Sequence, residues 1–298
     1  MLEADVDDDD EEAVTVPPVH TLQDVVSKVR FSTCDFSGNS EYVIAGGLEG
    51  DSTDGLAAAL FGDLAVGEET WLSAGLARSS VDLPIRDELE TWYADVGLDH
   101  FFDPAGVRLG LAYWGDNSVL DSTDARASLY FRGGSGSLSF DYEFRDFELE
   151  LPEFDFIRRR QVNFDANGYG LGARLDLSES VDVRFKGMSY DYSVNLRLDR
   201  NRDIVNLISV TRLSLLNSLV DYRASLTLGI DFGLKRLEFE AGQWEGAVEG
   251  SRTNSYSVRF LAPISNRNDI EFGLGYDDSE NYGEVTVFSV FLYFYGGG

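Results

Sequence analysis

The chain has 298 residues and carries 53 acidic against 24 basic side chains, a net charge of −29 that makes nucleic acid a poor partner. A single cysteine, Cys34, excludes an intramolecular disulfide, and two histidines, His20 and His100, leave little material for histidine-based catalysis or for a His/Cys metal site. No uncharged stretch reaches the roughly 18–20 residues of a transmembrane helix, which excludes helical membrane proteins but not membrane barrels.

Residues 1–40 read as an acidic leader. Asp and Glu supply eight of the first twelve positions, and such a block of like charge stays solvated. Weak attraction of Ca²⁺ is a second reading of Asp7 to Asp10, but the run lacks the glycine and spaced ligands of a calcium loop. The start has no basic segment and no apolar run, so no secretory signal is expected in it. Further on, Thr21-Leu-Gln-Asp24 has the pattern of a capping box, and Leu22, Val25, Val26 and Val29 follow at i, i+3, i+4 and i+7. This predicts a short amphipathic helix that serves as a plug or docks on a periplasmic partner.

From residue 41 onward the period is 2. Val107, Leu109, Leu111 and Tyr113 share one face while Arg108, Gly110 and Ala112 share the other. Leu138, Phe140, Tyr142 and Phe144 likewise oppose Ser139, Asp141, Glu143 and Arg145, and Ala224, Leu226, Leu228, Ile230 and Phe232 oppose Arg223, Ser225, Thr227, Gly229 and Asp231. Fourteen such runs are expected, near 41–49, 55–65, 70–81, 91–100, 106–115, 124–132, 136–147, 163–177, 181–195, 222–232, 236–246, 252–262, 269–276 and 284–295. They approach the ~9–11 residues with which a tilted strand crosses a bilayer, whereas strands of soluble proteins cluster near 5–6. Aromatic residues gather at run ends, at Trp71, Trp92, Trp114, Trp244, Tyr256, Tyr276 and Phe101-Phe102, where an interfacial belt is expected. Tight turns such as Gly133-Gly134-Ser135 and Gly233-Leu234-Lys235 fall on one side, and longer connections near 83–90, 148–162 and 196–221 on the other. Residues 203–220 fit either a helix or strand extensions.

The final run, Glu284 to Tyr295, packs β-branched and aromatic residues, with Tyr293 to Tyr295 at the expected girdle. It resembles the closing strand of Gram-negative outer-membrane β-barrels, although Gly296-Gly297-Gly298 follows where that group usually ends on an aromatic. The resemblance is one of porin-like architecture. It implies an all-β chain, a single transmembrane antiparallel barrel of about 14 strands over residues 41–298, with 12 or 16 left open. It also implies the bacterial outer membrane with both termini periplasmic, contact with membrane lipid and lipopolysaccharide, and recognition by the barrel-assembly machinery through the last strand.

With the apolar face toward lipid, Arg108, Arg126, Asp141, Glu143, Arg174, Asp176, Arg184, Arg223, Asp231, Glu238, Glu240, Arg259 and Glu271 face the lumen, and Asp95, Arg145 and Asp182 share their phase. Such charges set the field of a water-filled pore or pair with one another in a closed barrel. Arg158 to Arg160 fall in an external loop, where they meet solvent, fold inward or meet lipopolysaccharide phosphates. No catalytic residues and no cofactor are expected. Three functions fit: a passive, cation-preferring channel for small hydrophilic solutes, favoured by an acidic outer mouth; a non-conducting docking barrel; and an uptake barrel for hydrophobic compounds with an N-terminal hatch.

Overall fold

In a computed structural model of the chain, the described residues are 41–52, 55–83, 86–116, 120–151, 160–196, 219–248, 250–280 and 283–296. The plug candidates Leu22, Val25, Val26 and Val29, and the undecided segment up to residue 218, lie outside them.

The described chain is strand and turn: β1 (Tyr42–Asp51), β2 (Leu56–Gly67), β3 (Thr70–Leu83), β4 (Arg86–Phe102), β5 (Ala105–Gly115), β6 (Leu120–Gly133), β7 (Gly136–Leu151), β8 (Arg160–Ser178), β9 (Val181–Tyr192), β10 (Val220–Phe232), β11 (Lys235–Gly246), β12 (Arg252–Ser265), β13 (Asn268–Ser279) and β14 (Gly283–Gly296). Each strand pairs antiparallel with its sequence neighbours, and β1 pairs with β14 from Tyr42↔Gly296 to Asp51↔Val287, closing a barrel of fourteen strands. Closure satisfies the backbone donors and acceptors that an open sheet edge would leave bare.

Six hairpins, after β2, β4, β6, β8, β10 and β12, turn through two residues each, at the end of the barrel that also holds the start of β1 and the end of β14. Gly233 supplies one of these turns with φ +71°, a backbone region that suits glycine. The opposite end carries the longer connections, with one exception. Of the loop expected over 83–90, residue 83 and residues 86–90 are strand, because β3 and β4 continue pairing past Ser79↔Thr91.

The exterior is apolar. Ile44, Leu60, Leu76, Val96, Leu109, Leu171, Phe239 and Phe288 are all exposed, as are Leu111, Leu226, Phe272 and Leu274. A soluble sheet buries that face, so the exposed one is the side that meets a hydrocarbon solvent.

Two features of the aromatic belt need correction. Trp92, Tyr256 and Tyr276 do face outward, but Trp71, Trp114 and Trp244 take the inward phase, and Trp114 is 4% exposed. Tyr293 and Tyr295 also turn inward while Phe294 between them faces out. Parity decides this. Trp114 is in step with Arg108 and Trp244 with Glu238, so a position near a strand end does not by itself put an aromatic in the belt.

Candidate functional site: the barrel interior

Of the charged positions singled out by alternation, Asp95, Glu143, Arg145, Asp182, Glu238, Arg259 and Glu271 are buried, and cross-strand register gathers most of the set into three groups. In the middle of the barrel Arg126 lies opposite Glu143, and Asp124 opposite Arg145. Arg126 donates to Glu143 Oε1 at 2.9 Å, to Asp124 at 3.2 Å and to the Tyr93 hydroxyl at 3.1 Å. Arg145 approaches Glu143 at 3.2 Å and donates to the Tyr190 hydroxyl at 3.0 Å, and that hydroxyl donates to Glu143 Oε2 at 2.7 Å. Arg223, on β10 three strands away, reaches the same oxygen at 3.8 Å. Glu143, Arg145 and Asp124 are buried, so the charges are held by one another rather than by water.

The ring of Tyr190 fits because its cross-strand neighbour is Gly168, where a Cβ would overlap it. Tyr130 has the same relation to Gly106. Inward glycines thus leave room for the hydroxyls that bridge the ion pairs.

A second group gathers toward the turn end on β8 to β14. Register places Arg174 opposite Arg184 and Asp176 opposite Asp182, two like-charge pairs that would repel. Pairing along each strand and on the diagonal relieves both: Arg174 contacts Asp176 at 2.8 Å and, diagonally, Asp182 at 3.9 Å, while Arg184 contacts Asp182 at 3.0 Å and also pairs with Glu238. Arg236 sits at the centre, 2.8 Å from Glu238 and 2.9 Å from Asp231, and paired with Asp182. Arg259 adds contacts to Glu238 at 2.8 Å and Glu240 at 3.5 Å, and the Tyr293 hydroxyl donates to Glu271 at 3.3 Å. Reading the alternation did not pick out Arg236, although its parity with Glu238 and Glu240 marks it as inward.

The third group lies near the turn-side rim. Both Nε and Nη2 of Arg108 donate to Asp99 Oδ2, at 3.0 and 2.8 Å, and Tyr130 donates to Asp99 Oδ1 at 2.6 Å. The guanidinium groups of Arg108 and Arg132 stand 5.5 and 5.1 Å from the Tyr130 ring centre, and Phe101 stacks on that ring at 6.2 Å.

Between the first and third groups lies a cavity of about 410 Å³ that runs from the β2–β3 turn, at Glu68 and Glu69, to Arg126, Glu143, Lys186 and Arg223. Beneath the long loops, at the other end, an apolar cluster lies beside buried Thr253, Asp277 and Ser279. Trp114, Leu120, Phe147, Phe164 and Leu219 are buried there, and Phe147 stacks on Phe164 with ring centres 4.9 Å apart.

No protein-family model matches the chain, and no curated protein does. Solved structures do resemble it. The outer-membrane protein OmpT of Vibrio cholerae is 8% identical with a TM-score of 0.50, over 86% of this chain and 96% of its own. Omp33 of Acinetobacter baumannii is 8% identical with a TM-score of 0.49, over 87% and 99%. A KdgM porin in complex with disordered oligogalacturonate is 8% identical with a TM-score of 0.44, over 85% and 98%. The likeness to OmpT is one of fold, that of an outer-membrane β-barrel, which the closed fourteen-strand sheet shares.

Proposed function

We propose that this chain is a bacterial outer-membrane channel for small hydrophilic solutes, with a preference for cations. The observation that carries the reading is the cavity in the barrel interior, whose wall is charged while the barrel's exterior is apolar. Barrels of about eight strands hold little besides side chains and those of about sixteen leave an aqueous channel, so fourteen strands are wide enough for a solute path. Seven carboxylates line the cavity (Asp63, Glu68, Glu69, Asp95, Asp99, Asp141 and Glu143) against five cations (Arg108, Arg126, Arg132, Lys186 and Arg223). An excess of two negative charges in a low-dielectric enclosure favours cations.

Single-channel recording in a planar bilayer tests this. Discrete conductance steps are expected, with a reversal potential in a salt gradient that reports cation preference. The preference should shrink toward molar salt, where screening shortens the reach of the carboxylates to about 3 Å. Anion selectivity would assign control to the arginines instead. The second reading, a barrel that conducts nothing, draws on the apolar cluster of Trp114, Phe147 and Phe164 under the loops, and absence of any conductance would favour it.

A further inference from the structure

The charges around the cavity are sorted by wall. Every charged lining group contributed by β2, the β2–β3 turn and β4 is acidic: Asp63, Glu68, Glu69, Asp95 and Asp99. The lining groups from β5 to β10 are five cations, among them Lys186 and Arg223, against two carboxylates. In strand order β2, with Asp63, and β9, with Lys186, stand seven places apart on a cylinder of fourteen, and β4, with Asp95 and Asp99, stands six from β10, with Arg223, so the acidic wall and the Lys186–Arg223 wall face each other across the lumen. Trp71 lies on the acidic side, and the mixed strands β5 to β7 form the flank between.

From this segregation we infer that the cavity is a binding site for a small zwitterion whose amino and carboxylate groups are separated along an extended backbone, as in a di- or tripeptide. An ammonium group meets the carboxylates of β2 to β4 other than Asp99, which Arg108 and Tyr130 hold, while the carboxylate meets Lys186 and the face of Arg223 turned from Glu143. A simple cation or anion satisfies one wall and faces like charge at the other. A volume of about 410 Å³ lies at the small end of ligand pockets, in keeping with a few residues of peptide. The inference rests on the channel reading for access to the cavity and deepens it by naming the solute class.

Binding is measured on the full chain in detergent micelles, by calorimetry and by the fluorescence of Trp71, neither of which requires conduction. Triglycine is expected to bind, and N-acetyl-triglycine and triglycinamide, which each lack one charge, to bind about tenfold more weakly, the loss of one charge-assisted contact. Arg223→Gln should weaken triglycine and leave triglycinamide unchanged, whereas Asp95→Asn should weaken triglycine and leave N-acetyl-triglycine unchanged. The peptide series is read on the unaltered protein, so it decides the matter even where a variant does not fold. Equal affinity for all three peptides, tighter binding of a singly charged one, or no binding by any overturns the inference. Conductance steps without triglycine binding sink the zwitterion site and keep the channel; triglycine binding without conductance does the reverse.

Discussion

At the scale of single residues, the interior is governed by how few of its charges meet water. Arg236 touches Asp182, Asp231 and Glu238 and is 6% exposed, so replacing it removes the guanidinium shared by all three, while Asp182 keeps Arg184 and Glu238 keeps Arg184 and Arg259. Arg236→Met is expected to cost about 2–3 kcal/mol of barrel stability, below the ~3–5 kcal/mol of a buried charge left with no partner. Arg78 forms an ion pair of the same kind with Glu90 on the outer wall, but both side chains are about half exposed. Arg78→Gln should therefore cost less than about 1 kcal/mol. Urea unfolding in lipid vesicles compares the two directly. Similar penalties for both would mean that water reaches the Arg236 group.

At the scale of the strand, parity is the quantity the amino-acid pattern carries most clearly. The fourteen runs and the inward or outward phase of Leu109, Arg126, Glu143 and Leu228 could all be read from alternation, since a strand's side chains have no other period. Partners were a different matter. That Arg126 meets Glu143, or that Arg174 meets Arg184 and must pair along its strand and diagonally, depends on register, which is set by turns of two residues and by bulges such as that between Pro263 and Ser265. The inward tryptophans depart from the expected belt for a related reason: parity, not proximity to a strand end, sets the face a side chain takes. Strand phase makes its own prediction. Leu228 is 36% exposed on the outer face, near the middle of β10, and Leu228→Arg should cost about 2–4 kcal/mol in lipid. Gly168→Val tests the inward face, since the new side chain would overlap the Tyr190 ring and separate it from Glu143. Overpacking of about 1–3 kcal/mol is expected, and the readout is the same unfolding midpoint.

At the scale of the whole molecule, the long-loop end of the interior carries an aromatic layer of Trp114, Phe147 and Phe164 beside buried Asp277 and Thr253. If the aromatic layer is the narrowest part of the path, truncating it should widen the path more than any change among the charges. Phe147→Ala with Phe164→Ala is expected to raise single-channel conductance while leaving ion preference near its original value, because neither ring carries charge. A change in preference without a change in conductance would place the restriction lower, at Arg126 and Glu143.

The pairing of β1 with β14 has a consequence for how the barrel is made. Thirteen of the fourteen strand pairings join neighbours in sequence, and each needs only the closing of its own hairpin or loop. The remaining one brings Tyr42 to Gly296 and so encloses nearly the whole barrel in a single loop. Contacts of such wide sequence separation form late and slowly, since their entropic cost precedes their reward. The seam therefore acts as a kinetic latch. Phe291 packs against its partner Gly47 across it, and a side chain at position 47 would collide with that ring. Gly47→Val should slow the last phase of refolding into vesicles, while the hairpins far from the seam, such as β7–β8, gain their protection from amide exchange at the unaltered rate.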